Sequence, residues 1–111
     1  ADDMLIIRGI NVYPREIETV LMDDPDVGAN YAIVVDRRGA MAELRVRAEA
    51  TSDATAGGRL DVGAERLAKV LADRLRIRTA VELVADGSMP RTEVGKVKRV
   101  FEQVSDIDPL G

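Results

Sequence analysis

The chain has 111 residues, 46% of them apolar, and carries a formal net charge of −4 with no cysteine and no histidine. This length predicts one small domain with a core of its own, and the two missing residue types exclude disulfides, thiolate nucleophiles, Cys/His zinc sites and Ser-His-Asp catalysis. The acidic balance and the presence of only three aromatic residues argue against a nucleic-acid-binding protein.

The ends of the chain and its hydropathy bear on location. No apolar run approaches the roughly 20 residues that cross a membrane, and no signal peptide is visible. We therefore expect a cytoplasmic protein without membrane contact. The chain starts at Ala1-Asp2-Asp3, without a methionine, and runs almost at once into an apolar stretch. We therefore expect a piece of a longer polypeptide, and a processed or engineered terminus is the alternative.

The first elements form a ribbon followed by a helix. Residues 4–7 are apolar and predict a short strand, Arg8-Gly9 predicts a turn, and residues 10–12 predict a second strand. Pro14 suits the first position of a helix, because the backbone N–H that proline lacks has no partner within the helix at that position. The helix buries one stripe made of Ile17, Val20 and Leu21.

A hairpin and a longer helix follow. Residues 31–35 and 44–50 predict two strands joined by the turn Asp36-Arg37-Arg38-Gly39. In the second strand, apolar residues alternate with charged residues that we expect to face solvent, and Glu49 is one of these. Residues 51–58 are small and polar and predict a loop. Residues 59–75 show a helical period.

The last elements are a strand at residues 81–84, a loop around Gly87, a short closing helix suggested by Val97, Val100, Phe101 and Val104, and a tail over residues 106–111. After the ribbon the order is β-α-β-β-α-β. This order favours an α+β, ferredoxin-like fold with both helices on one face of an antiparallel sheet.

One polar stretch carries the strongest chemical signal: Pro90-Arg91-Thr92-Glu93-Val94-Gly95-Lys96-Val97-Lys98-Arg99. Gly95 allows close approach of a ligand to the backbone, and Lys96 offers a compact positive charge for a phosphate or carboxylate oxygen. A solvated basic loop is the plain alternative. A P-loop is excluded because Pro90 stands where that motif has glycine and Val97 where it has Ser or Thr.

Two motifs together resemble a known family. The stretch from Asp2 to Glu18, with Arg8-Gly9-Ile10-Asn11-Val12-Tyr13-Pro14 at its centre, resembles the hinge and following loop of adenylate-forming enzymes, and among them the phenylacetate-type aryl–CoA ligases. Residues 90–99 resemble the C-terminal lysine motif of that family. The resemblance covers nearly the whole chain, with both motifs in the family's order.

The resemblance implies that residues 1–111 form the single mobile C-terminal domain of an aryl-acid–CoA ligase. Such ligases first join an acid to AMP, releasing pyrophosphate, and then pass the acyl group to coenzyme A, with the small domain rotating between steps. The cofactors implied are ATP and Mg²⁺, bound mainly by a large N-terminal adenylation domain of the same polypeptide, and CoA. The small domain alone is expected to be inactive.

Residue roles follow from the same resemblance. Lys96 matches the adenylation lysine, Asp2 the hinge and Gly9 the glycine beside the pantetheine channel. Asn11 stands where many members carry arginine, which weakens an arginine-like phosphate contact there. Lys96 also sits in a context resembling that of acetylated acyl–CoA synthetases, and acetylation would remove its charge. Further phosphate or CoA contacts are expected from Arg8, Lys98 and Arg99.

Several alternatives stay open. Asp2 could belong to a frayed terminus, Gly9 could serve only a tight turn, and Lys98 is the second candidate for the catalytic amine, although no glycine precedes it. A stand-alone, ligand-sensing ferredoxin-like module is the alternative to the ligase, and an exposed strand edge could support a homodimer. The acid substrate is not encoded in this domain.

Overall fold

A computed structural model describes residues 3–90 and 98–111 of the chain. The elements are β1 Leu5–Ile7, β2 Ile10–Val12, α1 Pro14–Asp23, β3 Val27–Asp36, β4 Glu43–Ala50, α2 Ser52–Ala56, α3 Leu60–Leu75, β5 Thr79–Val84 and β6 Val100–Gln103.

The predicted N-terminal ribbon is confirmed. Strands β1 and β2 pair antiparallel and are joined by Arg8 and Gly9, whose φ angles are 52° and 75°. A two-residue hairpin turn of type I′ requires positive φ at both central positions, and glycine adopts it without strain. Ile7 and Val12 are fully buried, so the ribbon is fixed to the core at its turn and at its base.

The main sheet has the strand order β5-β4-β3-β6. The β3–β4 hairpin is antiparallel and central, while β5 runs parallel to β4 and β6 runs parallel to β3. The α+β class and the packing of the helices on one side are confirmed, but the prediction of an antiparallel sheet is wrong for both outer pairs. The helical crossover through α3 returns the chain to the end at which β4 began, so β5 must repeat the direction of β4.

The core lies between the sheet and the helices. Helix α1 buries Ile17 and Leu21, helix α3 buries Leu67 and Leu71, and the strands contribute the inward residues Ile33, Val35, Leu44, Val46 and Ala48. Each inward strand residue alternates with one on the opposite face of the sheet. None of the helices in the described ranges is long and apolar enough to cross a membrane.

Two predicted elements differ from the structure. The expected loop at residues 51–58 contains helix α2, which begins because the Thr51 hydroxyl accepts a hydrogen bond from the Ala54 N–H at 3.0 Å. The expected closing helix is instead strand β6. Its backbone pairs with β3, with the Ile33 N–H donating to the Arg99 carbonyl at 2.7 Å, and this pairing overrides a weak helical spacing.

The face of the sheet away from the helices carries charged side chains among apolar ones, and residues 104–111 lie against it. Arg47 forms ion pairs with Glu82 at 2.7 Å and with Asp108 at 3.4 Å. Arg38 joins Asp36 at 2.7 Å and Asp106 at 3.2 Å. These arginines tie the tail after β6 to the central hairpin.

Substitution of Gly9 by alanine should destabilise the chain by about 1 kcal/mol, because an L side chain at positive φ is strained. A Cβ at this position would meet no atom within 4 Å, so the cost is conformational and not steric. The control is Gly39→Ala in the β3–β4 turn, where no positive φ is required and the free energy of unfolding should change little. Urea unfolding of both variants measures the difference, and equal losses would contradict the assignment of the turn.

The stability of the chain should depend on pH through Asp36. Hydrogen bonds from the side chain and backbone N–H of Arg38 lower the pKa of this buried carboxyl from 3.8 to about 2. Because the folded pKa is depressed, the stabilisation is complete above pH 3.8 and is lost as the pH falls through about 2. Asp36→Asn should therefore flatten the slope of unfolding free energy against pH in this window.

Thermal unfolding measured from pH 5 to pH 2 tests this, with Asp73→Asn on the exposed face of α3 as the control. A control variant that flattens the slope as much as Asp36→Asn would contradict the role of the Asp36–Arg38 pair.

Candidate functional site

Two of the predicted site residues, Asp2 and Lys96, lie outside the described residues, as does Gly95. The structure does place the residues that flank them. Asp3 follows the predicted hinge, while Met89 precedes the lysine motif, Pro90 begins it, and Lys98 and Arg99 end it. The geometry of the candidate site is therefore built from these flanks.

Arg99 is held by the start of β3. Its guanidinium donates to the carbonyl oxygens of Tyr31 at 3.1 Å and Ala29 at 3.4 Å, and it lies 4.4 Å from the centroid of the Tyr31 ring. The stacking on the ring and the hydrogen bonds to two carbonyl oxygens fix the orientation of this planar cation. The structure thus gives Arg99 an anchoring role at the entry to β6.

Lys98 is more accessible than Arg99. Its side chain is exposed, and its ammonium lies 4.8 Å from the centroid of the Phe101 ring. This contact orients the lysine stem along the sheet while leaving hydrogen-bond donors on the ammonium for a ligand. Of the two basic residues that end the motif, Lys98 is the better placed to meet an anion.

Two clefts meet at these basic residues. A cleft of about 870 Å³ lies on the side of the sheet away from the helices and is lined by Arg47, Met89, Pro90, Lys98, Phe101 and Leu110, among others. A second cleft of about 580 Å³ is lined by Asp3, Leu5, Arg15, Lys98 and Arg99, among others. The flank of the predicted hinge and the flank of the lysine motif therefore share one cleft, although they stand at opposite ends of the sequence.

The segment that leads into the lysine motif is closely held. Gly87 has a φ of 82°, and the Ser88 N–H donates to the Ala85 carbonyl at 3.1 Å, which is the geometry of a type II turn. The Asp86 N–H donates to the Thr55 hydroxyl at 2.9 Å, and the Met89 N–H donates to the Glu49 carboxylate at 2.9 Å.

Sequence reasoning missed both of these side chains. The alternation along β4 placed Glu49 on a wet face, yet the residue is only 4% exposed, and Thr55 fell in an expected loop that is helix α2. The signal that could have found Glu49 is its position at the end of β4, since its neighbour across the sheet, Val84, is the last residue of β5 before the loop.

The other predicted site residues, Arg8 and Gly9, lie at the opposite end of the central hairpin. The Arg8 guanidinium donates to the Ala42 carbonyl at 2.8 Å, just before β4 begins, and lies 3.8 Å from Glu43. Arg99 contacts the start of β3. The part of β3 that separates these contacts, from Tyr31 to Asp36, is about 17 Å long. The domain thus presents two separate surfaces, one at each end of the hairpin.

An acidic pair beside α3 does not form a cation site. Asp24 receives two hydrogen bonds from Arg66 at 2.9 and 3.0 Å, and Asp26 pairs with Arg59 at 3.1 Å. The hydrogen bond from Arg59 is the main cause that lowers the pKa of Asp26. Within residues 3–90 and 98–111, no group of three acidic, histidine or cysteine side chains could hold a metal ion.

Known proteins resemble this chain in both sequence and fold. Phenylacetate–coenzyme A ligase of Thermus thermophilus is 41% identical over 91% of this chain, and the enzyme of Escherichia coli is 36% identical over 92%. The chain spans about a quarter of the length of these relatives, 26% and 24% respectively.

Among solved structures, a domain of phenylacetate–coenzyme A ligase from Bacteroides vulgatus superimposes with a TM-score of 0.79 at 29% identity, covering 96% of this chain and 97% of that one. A 2-hydroxyisobutyryl–CoA ligase with 2-HIB-AMP and CoA, in its thioesterification state, gives a TM-score of 0.81 at 34% identity over 93% of this chain and 22% of that one. The sequence model of the AMP-binding enzyme C-terminal domain family matches residues 9–103, and the chain belongs to this family.

Proposed function

We propose that residues 1–111 act as the C-terminal domain of an ATP-dependent aryl-acid–CoA ligase of the phenylacetate type. The observation that carries the proposal is the separation of two surfaces at opposite ends of the β3–β4 hairpin, one flanking the lysine motif and one formed by the Arg8–Gly9 turn. A domain that serves two successive half-reactions needs two such surfaces. The relatives that match over most of this chain are named as ligases of this type.

In the first half-reaction, Lys96 is proposed to act on the acid and ATP. The acid's carboxylate oxygen attacks the α-phosphorus of ATP, the bond to the β-phosphate oxygen breaks, and acyl-adenylate and pyrophosphate form. An ammonium bridging the carboxylate and the phosphate oxygens would hold the reactants in line and stabilise the charge that develops around the α-phosphorus during adenylyl transfer. Lys98, exposed on the Phe101 ring, would add positive charge beside it.

In this proposal ATP and Mg²⁺ are bound mainly by a large N-terminal adenylation domain of the same polypeptide, and Asp2 is the hinge between the two domains. Asp3, which follows it, lines the cleft that also contains Lys98 and Arg99. A change of angle at residue 2 would therefore move the flank of the lysine motif directly. The same hinge would exchange one surface of the small domain for the other.

In the second half-reaction, the Arg8–Gly9 turn is proposed to face CoA. The CoA thiol gives up its proton to solvent, its sulfur attacks the acyl carbon of the adenylate, and AMP leaves with the electron pair of the broken C–O bond. Gly9 has open space around its missing Cβ, so a pantetheine chain could pass close to its backbone. The side chain of Arg8 is one-third exposed, which leaves part of its guanidinium for a phosphate of CoA.

Adenylation should be lost when Lys96 is replaced by alanine. The test uses a chimaera in which this chain replaces the matching segment of the Thermus thermophilus ligase, with pyrophosphate release measured over a panel of aryl acids. The Lys96→Ala rate should fall by a factor of about 100 or more, as expected for loss of a charge that stabilises the transition state. Thioester formation from a supplied acyl-adenylate should be largely kept.

The control is Lys98→Ala, which removes a neighbouring ammonium and should reduce pyrophosphate release much less. A larger effect at Lys98 than at Lys96 would reverse the assignment of the catalytic amine. A folded wild-type chimaera that neither releases pyrophosphate nor forms thioester would contradict the ligase proposal. The 870 Å³ cleft would then favour a stand-alone small-ligand-binding module, which is tested by ligand screening and by the oligomeric state of the lone chain.

A further inference from the structure

Two side chains that the proposed chemistry does not use hold the backbone just ahead of the lysine motif. The Glu49 carboxylate accepts from the Met89 N–H and the Thr55 hydroxyl accepts from the Asp86 N–H, both at 2.9 Å. We propose that Glu49 and Thr55, here named the loop clamp, are positioning residues that fix the backbone directly before the start of the lysine motif. This inference rests on the proposed function of Lys96.

The Glu49 side of the loop clamp is built into the sheet. Glu49 sits at the end of β4 and is 4% exposed, so its carboxylate cannot swing freely into solvent. A buried carboxylate needs hydrogen bonds to the charged form, and a backbone N–H is a strong donor for it. The position of the Met89 N–H is therefore fixed by a side chain on a central strand.

The Thr55 side is fixed by helix α2. The Thr55 hydroxyl donates to the Thr51 carbonyl at 2.8 Å, so its proton is committed and its lone pairs point to the Asp86 N–H. Thr51 itself starts the helix through the Ala54 N–H. The short helix thus holds the Thr55 hydroxyl oxygen in one orientation. That oxygen accepts from the N–H of Asp86, which lies two residues after the end of β5.

Together the two contacts remove the freedom of a loop that would otherwise pivot at the end of β5. The Asp86 contact falls inside the Ala85–Ser88 turn, which is also closed by its own hydrogen bonds, and the Met89 contact directly follows that turn, so the loop is held within and after the turn. The lysine motif follows Met89 directly in sequence. A displacement of about 1 Å in a catalytic group can cost a factor of about 100 in rate, so this placement matters for adenylation.

Amide hydrogen exchange on the chain itself tests the clamp without reference to any reaction. Glu49→Ala should raise the exchange rate of the Met89 amide by about tenfold or more, the loss expected when a hydrogen bond to a charged group is removed. Glu49→Gln keeps an acceptor oxygen and should give a smaller rise. Glu82→Gln, an ion-paired carboxylate on the adjacent strand, is the control and should leave Met89 unchanged.

Thr55 offers a second, independent pair of variants. Thr55→Val removes the acceptor at nearly constant volume and should speed exchange at Asp86, whereas Thr55→Ser should restore protection. The control is Thr19→Val, since the Thr19 hydroxyl makes the same bond to the carbonyl four residues before it, at 3.0 Å, on α1. These variants keep the inference testable if Glu49→Ala fails to fold.

The ligase chimaera then tests whether the loop clamp positions the lysine motif for adenylation. Glu49→Ala and Thr55→Val should each lower the maximal rate of pyrophosphate release about tenfold or more, with the KM for ATP little changed and thioester formation from a supplied adenylate kept. Glu49→Gln and Thr55→Ser should recover much of the rate. A purely structural defect would lower both half-reactions alike.

The outcomes separate the two proposals. Faster exchange with a selective loss of pyrophosphate release supports the loop clamp. Unchanged exchange in both Glu49→Ala and Thr55→Val, or faster exchange with normal pyrophosphate release, overturns it while leaving the Lys96 result intact. A Lys96→Ala chimaera that adenylates normally overturns the proposed function and with it the positioning role, whatever the exchange rates are.

Discussion

The antiparallel pairing of β3 with β4 is the constraint on which the rest of the molecule depends. Because this hairpin occupies the centre of the sheet, β5 and β6 can only add at its two edges, and each runs parallel to the strand beside it. It follows that β5 ends and β6 begins at the same end of the sheet. Both flanks of the lysine motif are thereby brought to one end, and the ribbon turn is left at the other.

The two faces of the sheet have different physical tasks. The inner face packs apolar side chains against α1 and α3, and burial of this surface supplies the main drive to fold. The outer face pairs charges, with Arg38 and Arg47 each bridging the hairpin to residues 104–111. Exposed ion pairs contribute little to stability singly, so their main effect is to fix where the tail lies.

The sequence allowed the ribbon, α1, the hairpin and α3 to be predicted because each carries a local period or a turn residue such as Gly9 or Pro14. Strand β6 could not be predicted, since its identity depends on an open edge of β3 far away in the chain. Glu49 was misplaced for a related reason: alternation assigns a face of the strand, but burial on that face depends on which loop crosses it. Asp2 and Lys96 were assigned by resemblance, and those assignments stay predictions.

The pairing of β6 with β3 also governs the order in which the chain can fold during synthesis. Val100 pairs with Ile33, so the outer edge of β3 stays open until the last described strand has left the ribosome. That edge belongs to a strand whose residues from Tyr31 to Asp36 are all buried in the finished fold. A chain truncated before β6 would therefore expose an apolar strand edge of the kind that recruits other chains, and the emergence of β6 from the ribosome would be the event that protects it from aggregation.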